Sequence, residues 1–287
     1  MKILLTGATG FIGSSLYLAL HARNHTVIPF TGTVANKKNW NNHFEYEPDV
    51  IIHLAAQTSL REAERHPDHD YSVNVFGTLC GLTTFQGTRF MMASTVTVEG
   101  VTDYDKPQPE AIDCHPVSVY ESNKYAAELL VESCNQTVFR LCNIYGPSVS
   151  ESKKDRGIVN QFIKVGLKGD TIKVYRSAVD KIRDCLYIDD LLDAFVRYVE
   201  QPDFPSGVYN VCTGVGHPIG AIARMCGKME VVDDPSDLHP IEKRSWIGDY
   251  GKLNRACGWM PRVMIEYGIQ RTRESFVRKG QDVIQEK

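Results

Sequence analysis

The chain has 287 residues, 43% hydrophobic and 23% charged, with 32 Lys and Arg against 35 Asp and Glu for a net charge of −3. That composition excludes a disordered, collagen-like or disulfide-stapled chain, and at a pI near 6.3 no basic surface recommends nucleic acid as a partner. Mean hydropathy is −0.25, and no apolar run approaches the roughly 20 residues that span a bilayer, so no membrane partner is expected.

The first seven residues, Met1 to Gly7, read as a strand that starts at once and are too short in apolar residues for a signal peptide. A cytoplasmic protein is expected. Strand candidates at 2–5, 26–30, 50–54, 89–93 and 138–141 alternate with helical patterns, Ile12, Leu16 and Leu20 in the first and Tyr71, Val75, Leu79 and Leu82 in a later one. Continuous apolar strands separated by helices predict an α/β fold with a parallel sheet covered on both faces, doubly wound by right-handed crossovers. Between Thr31 and Pro48 the chain is rich in Asn and Lys and weakly periodic, so the sheet is expected to be abbreviated at that edge. Residues 148–157 read as a mobile polar loop, Ile158–Leu167 as a helix, and 184–190 and 208–211 as strands or strand ends. The tail from Gly214 is mixed, which fits a second, smaller domain made of non-contiguous pieces. The 8 cysteines are scattered with no Cys-x-x-Cys pair; they read as buried small hydrophobes, and no metal site is expected.

Thr6-Gly7-Ala8-Thr9-Gly10-Phe11-Ile12-Gly13 follows the first strand and opens the first helix. Gly7 permits the tight turn, Gly10 lets backbone approach a pyrophosphate at the positive helix end, and Gly13 lets helix and strand pack closely. The turn, with Thr9, Phe11 and Ile12 on it, predicts a dinucleotide site and a Rossmann domain. The second strand ends Pro29-Phe30-Thr31-Gly32 without the acid that usually holds a ribose 2′-OH. Its absence admits a 2′-phosphate, with Thr31, Lys37 and Lys38 as partners. NADP(H) is therefore the favoured cofactor and NAD(H) the alternative.

Ser118-Val119-Tyr120-Glu121 has capping-box spacing ahead of an apolar-periodic helix. Tyr120 and Lys124, four apart, share one face. An ammonium and a helix N-terminus favour phenolate, which tunes Tyr120 for proton exchange with an alcohol or ketone oxygen. Ser94 and Thr95 end a sheet strand, where ligands of open α/β folds gather, and either hydroxyl can hold the reacting oxygen.

With these segments in order, the chain resembles the extended short-chain dehydrogenase/reductase superfamily, in its nucleotide-sugar epimerase, dehydratase and reductase branch. The other matching segments are His53-Leu54-Ala55-Ala56-Gln57, Tyr71 through Asn74 to Gly77-Thr78, Arg140 to Pro147, Arg183 to Asp190, and Tyr209-Asn210-Val211. The resemblance implies Tyr120 as the acid/base, and Lys124 as the group that lowers its pKa and binds the nicotinamide ribose. It implies Thr95, with Ser94 beside it, as the catalytic hydroxyl. His53, Leu54, Ala55 and Ala56 would line the strand over the cofactor, and Asn74 would lie on the supporting helix. Asn143 would meet a nucleoside-diphosphate sugar, Arg183 would clamp its pyrophosphate, and Arg244 would assist. It also implies a homodimer, and a division into a dinucleotide-binding domain (1–143 and 181–213) and a C-terminal substrate domain (144–180 and 214–287). Three departures stand out: the missing acid after the second strand, the short 31–48 segment, and Val96-Thr97 where dehydratases carry an Asp-Glu pair. Glu99 also replaces an aromatic before Gly100.

The expected reaction is reduction of a nucleotide-linked 4-keto sugar by hydride transfer at C4. A 4-epimerase with retained NAD is the close alternative. A reductase of small ketones or aldehydes, and a non-catalytic cofactor-binding Rossmann protein, are further alternatives.

Overall fold

Alternate residues of the first strand enter different cores. In β1 (Lys2–Thr6), Ile3 and Leu5 belong with Leu16 and Leu20 of the Phe11–His21 helix, whereas Leu4 belongs with Trp40, Ile51 and Val131. A strand buried on both faces is apolar throughout, as the sequence reads. The computed structural model describes residues 1–100, 106–147, 157–236, 238 and 243–285, with side chains as far as Arg278 in the last helix.

The remaining strands are β2 (Thr26–Pro29), β3 (Val50–His53), β4 (Arg89–Thr95), β5 (Thr137–Leu141), β6 (Asn143–Tyr145), β7 (Ile172–Tyr175), β8 (Ile182–Tyr187), β9 (Gly207–Val211), β10 (Gly216–Pro218) and β11 (Met229–Val232). Six form one sheet in the order β2-β1-β3-β4-β5-β9, and every pair is parallel. The chain leaves β1 toward β2 on one side and returns to β3 on the other. That reversal makes the crevice beyond the ends of β1 and β3 the place where a ligand binds in such folds.

The abbreviated edge is confirmed: β2 ends the sheet. The connection to β3 holds only the short Lys37–Asn41 helix and a single turn at Phe44–Tyr46. Trp40 anchors it, fully buried, its indole N–H donating to the Val34 carbonyl at 2.8 Å.

Elsewhere the structure corrects the reading. β4 runs two residues longer than expected, bringing Ser94 and Thr95 into register with Arg140 and Leu141. The strand expected at 184–190 is Ile182–Tyr187, and the Ile188–Glu200 helix takes over from Ile188. β8 pairs with β6 and β10 in a separate three-stranded sheet, and β7 pairs with β11. The helical run from Pro67 to Thr84 passes through a π turn at Ser72–Phe76. One extra residue per turn rotates the apolar stripe. Val75 and Leu82 are therefore buried, while Tyr71 is 54% and Leu79 37% exposed. Residues 148–156 of the expected polar loop lie outside the described residues. No described helix is long and apolar enough to cross a membrane.

Candidate active site

A cleft of about 680 Å³ opens beyond the carboxyl ends of β1, β3 and β4. The glycine turn forms one wall: Gly7, Thr9, Gly10, Phe11, Ile12 and Gly13 all line it. Gly7 adopts φ +69°, and a Cβ there would lie 2.8 Å from the Ala55 nitrogen. A Cβ on Gly13 would collide with the Gly7 carbonyl. Gly10 begins the Phe11–His21 helix without any side-chain cap, which leaves first-turn N–H groups for an anion. This cradle fits a dinucleotide pyrophosphate.

The second wall is the turn after β3. Leu54, Ala55 and Ala56 line the cleft as expected. Thr6 holds them in place: its Oγ1 accepts from the Ala55 N–H at 3.0 Å and lies 2.8 Å from His53 Nδ1. His53 itself is buried beneath the cleft, and burial first, then the Lys124 charge, pushes it down to about 3. It is a neutral structural imidazole. Thr31 to Val34 complete the rim. Lys37 and Lys38 are exposed at the start of the neighbouring short helix and do not line the cleft.

Opposite the glycines stand Ser94, Thr95, Tyr120 and Lys124. The Val119–Ser133 helix presents the last two, and its first turn carries the Ser118 cap that the sequence predicts, whereas Glu121 reaches back to Val117 and not to the Ser118 N–H of a capping box. Ser118 Oγ accepts from the Glu121 N–H at 3.2 Å, while Glu121 Oε2 accepts from the Val117 N–H at 2.9 Å. Lys124 Nζ donates to the Ala93 carbonyl at 2.7 Å. Burial pushes Lys124 down to about 8, against the pull of Glu128 and Asp70. Thr95 Oγ1 lies 3.0 Å from Thr97 Oγ1 and accepts from the Thr97 N–H.

The phenol departs from expectation. Burial first, then the charges of Asp70 and Glu121, holds Tyr120 well above the usual tyrosine range, and Lys124 is not among the groups that shift it. With Lys124 tied to β4, Tyr120 is poised as a proton donor. Among the described residues lining the cleft, Lys124 is the one charged side chain.

The sequence model of the NAD dependent epimerase/dehydratase family matches residues 3–212. The chain belongs to that family. It is 30% identical to a UDP-glucose 4-epimerase of Mycolicibacterium smegmatis, over 98% of this chain and 100% of that one. It is 28% identical to a GDP-6-deoxy-D-mannose reductase of Pseudomonas aeruginosa, over 94% and 95%. A Thermus thermophilus UDP-glucose 4-epimerase solved with NAD superposes with a TM-score of 0.84 at 26% identity, over 96% of this chain and 99% of that one. UDP-glucuronic acid decarboxylases are also relatives, and solved neighbours hold NAD or NADPH.

Within this family fold, the residues expected to meet the substrate lie off the cleft lining, in a cluster of their own. Asn143 Oδ1 accepts from the Trp246 indole at 3.0 Å. The Arg183 guanidinium stacks 3.7 Å over the Trp246 ring and donates to the Ile182 and Arg244 carbonyls. Arg244 Nη1 lies 3.7 Å from Glu121 Oε2, which ties this cluster to the tyrosine helix.

Two buried groups escaped the sequence reading. Asp70, fully buried, accepts from Gln57 Nε2 at 2.8 Å, Asn74 Nδ2 at 3.0 Å and Asn123 Nδ2 at 2.8 Å. It joins the turn after β3 to the tyrosine helix. Its only sequence signal is a carboxylate one helical turn before Asn74. Glu99, unexplained in the sequence, lies 3.8 Å from Arg140, whose Nη2 reaches Glu128 at 2.8 Å. Burial pushes Glu99 up to about 8, so its carboxyl holds a proton at neutral pH.

Proposed function

We propose that this chain is an NAD(P)-dependent oxidoreductase acting on a nucleoside-diphosphate sugar, reducing a 4-keto group. The observation that supports this reading is one cleft with the glycine cradle on one wall and Tyr120, Lys124 and Thr95 on the other. The dinucleotide, when bound, supplies the hydride chemistry at the sugar carbon. Gly7, Gly10 and Gly13, with Thr9, Phe11 and Ile12, hold its pyrophosphate. Leu54, Ala55 and Ala56 pack against it, and Lys124 holds the nicotinamide ribose. Tyr120 gives its phenolic proton to the sugar oxygen, a contribution of roughly 10²–10⁴-fold. Thr95, with Ser94 beside it, fixes that oxygen. Asn143, Arg183 and Arg244 meet the nucleotide and its pyrophosphate, which suits a guanidinium fork.

Reduction is favoured by the end of β2, where Thr31-Gly32 stands without a carboxylate. Thr31, with Lys37 and Lys38 nearby, then accommodates a 2′-phosphate, and NADPH exchanges freely. Epimerisation with retained NAD is the second reading, favoured by the 30% identical 4-epimerase. Val96-Thr97 supplies no carboxylates beside Thr95, which disfavours elimination of water. We further propose a cytoplasmic homodimer. In each copy, 1–143 with 181–213 binds the dinucleotide, and 144–180 with 214–287 binds the sugar nucleotide.

Denaturing fresh protein and identifying the released dinucleotide by mass spectrometry, then titrating the emptied protein with NADPH and NADH, tests this. An empty site preferring NADPH, with the preference lost on reversing both lysine charges, supports the reductase. Tightly retained NAD supports the epimerase. Binding of neither dinucleotide sinks both.

A further inference from the structure

Strands β5 and β9 pair in parallel through Leu141 and Val211, so the next residues, Cys142 and Cys212, emerge side by side at their carboxyl ends. Adjacent strands run about 4.8 Å apart, inside the Cα separation of roughly 4.4–6.8 Å that a disulfide spans. The two sulfurs and an Asp184 carboxylate oxygen all lie within 4.8 Å of one another. Cys142 lines the cleft at 8% exposure, whereas Cys212 is fully buried.

Asp184 is not free to ligate a cation. One oxygen accepts from the Thr213 N–H at 2.9 Å and the Thr213 hydroxyl at 2.7 Å, and the other from the Gly214 N–H at 3.1 Å and the Gly248 N–H at 3.4 Å. Four donors hold that carboxylate as a structural anion between the loop after β9 and β8.

We propose that Cys142 and Cys212 form a redox-sensitive dithiol in the cleft wall, closed to a disulfide by small disulfides that enter the cleft. Cys142 loses its proton to solvent in the cleft and attacks one sulfur of the small disulfide. One thiolate leaves and takes up that proton. Cys212 then loses its proton and attacks the Cys142 sulfur, and the second small thiolate leaves and takes that proton up. Two protein thiols are oxidised, one small disulfide is reduced to two thiols, and the protons balance. Burial pushes Cys212 up to about 11 and Cys142 above the ordinary thiol range, so the first attack is slow. The second is intramolecular, which makes the closed pair persist where a single mixed disulfide reverts. This site does not depend on the reaction proposed above.

The test equilibrates the full chain in glutathione buffers from reducing to oxidising, traps free thiols by alkylation and maps the peptides. The expected product joins the Cys142 peptide to the Cys212 peptide and is reversed by dithiothreitol. Cys212→Ser should instead trap glutathione on Cys142, and Cys142→Ser should leave Cys212 a free thiol. Recovery of both residues as free thiols at the most oxidising end overturns the proposal. So does a lasting glutathione adduct on Cys142 in the unaltered chain, or linkage of Cys142 to Cys185.

Discussion

Lys124 donates to the backbone carbonyl of Ala93 at 2.7 Å, so its ammonium is fixed by the strand that carries Ser94 and Thr95. Tyr120, one helical turn away, sits among the charges of Asp70 and Glu121 instead. The tyrosine helix and β4 therefore act as one unit, and burial, the largest influence on both groups, favours the neutral phenol and the neutral amine.

Lys124 sets an alkaline limit. Burial pushes it down to about 8, so the ammonium is lost as pH rises through that value. The kcat/KM for reduction, which reports the free enzyme, is expected to fall above it. Replacing Lys124 by Met should cost on the order of 10²-fold in turnover, as loss of a fixed charged donor does. Initial rates across pH check both; a flat profile through that range contradicts the assignment.

Asp70 raises the pKa of both Tyr120 and Lys124. Asp70→Asn removes the charge at nearly constant volume, so the phenol should ionise at lower pH and the alkaline limb should move down. The new amide N–H groups face amide donors, which costs about 1–3 kcal/mol. Ultraviolet titration of the phenolate, referenced to Tyr120→Phe, gives the first; urea unfolding gives the second. An unmoved phenol refutes the role.

Glu99 makes stability depend on pH. Its folded value is raised to about 8 from an unfolded value of about 4.3. The folded state holds the proton more tightly, so its contribution is complete below the unfolded value and lost as pH rises through the folded one. Unaltered protein should lose on the order of a few kcal/mol over that window relative to Glu99→Gln. Parallel unfolding curves at every pH would show that Glu99 does not titrate there.

The exposed face made by Tyr71, Leu79 and Leu129 belongs to the helical run before β4 and to the tyrosine helix. If it joins two copies, Leu79→Glu with Leu129→Glu should give monomers in sedimentation while leaving the fold intact. Identical sedimentation of variant and parent removes this face from the assembly.

Motifs that act through backbone were legible in the sequence. The glycine turn works by what a missing Cβ allows, and the Ser118 cap by local hydrogen bonding, so both survive without knowledge of tertiary contacts. The doubly wound sheet followed from continuous apolar strands. What escaped depends on distant neighbours. Asp70 looks like any helical acid until Gln57, Asn74 and Asn123 close on it. β7 and β11 are four residues each, 57 apart in register, so neither carries a strand pattern. The outward turn of Tyr71 and Leu79 needs the π turn between them, which an α-helical period cannot supply. Arg183 and Arg244 were singled out by resemblance, yet their stacking on Trp246 and contact with Glu121 could only be seen in the fold.

The most direct test of the account is turnover by Tyr120→Phe. NADPH oxidation is followed on mixing with nucleotide-linked 4-keto sugars, beside dinucleotide binding by the same variant. The account predicts turnover reduced by roughly 10²-fold or more with binding nearly unchanged. Turnover equal to that of the unaltered chain would contradict it.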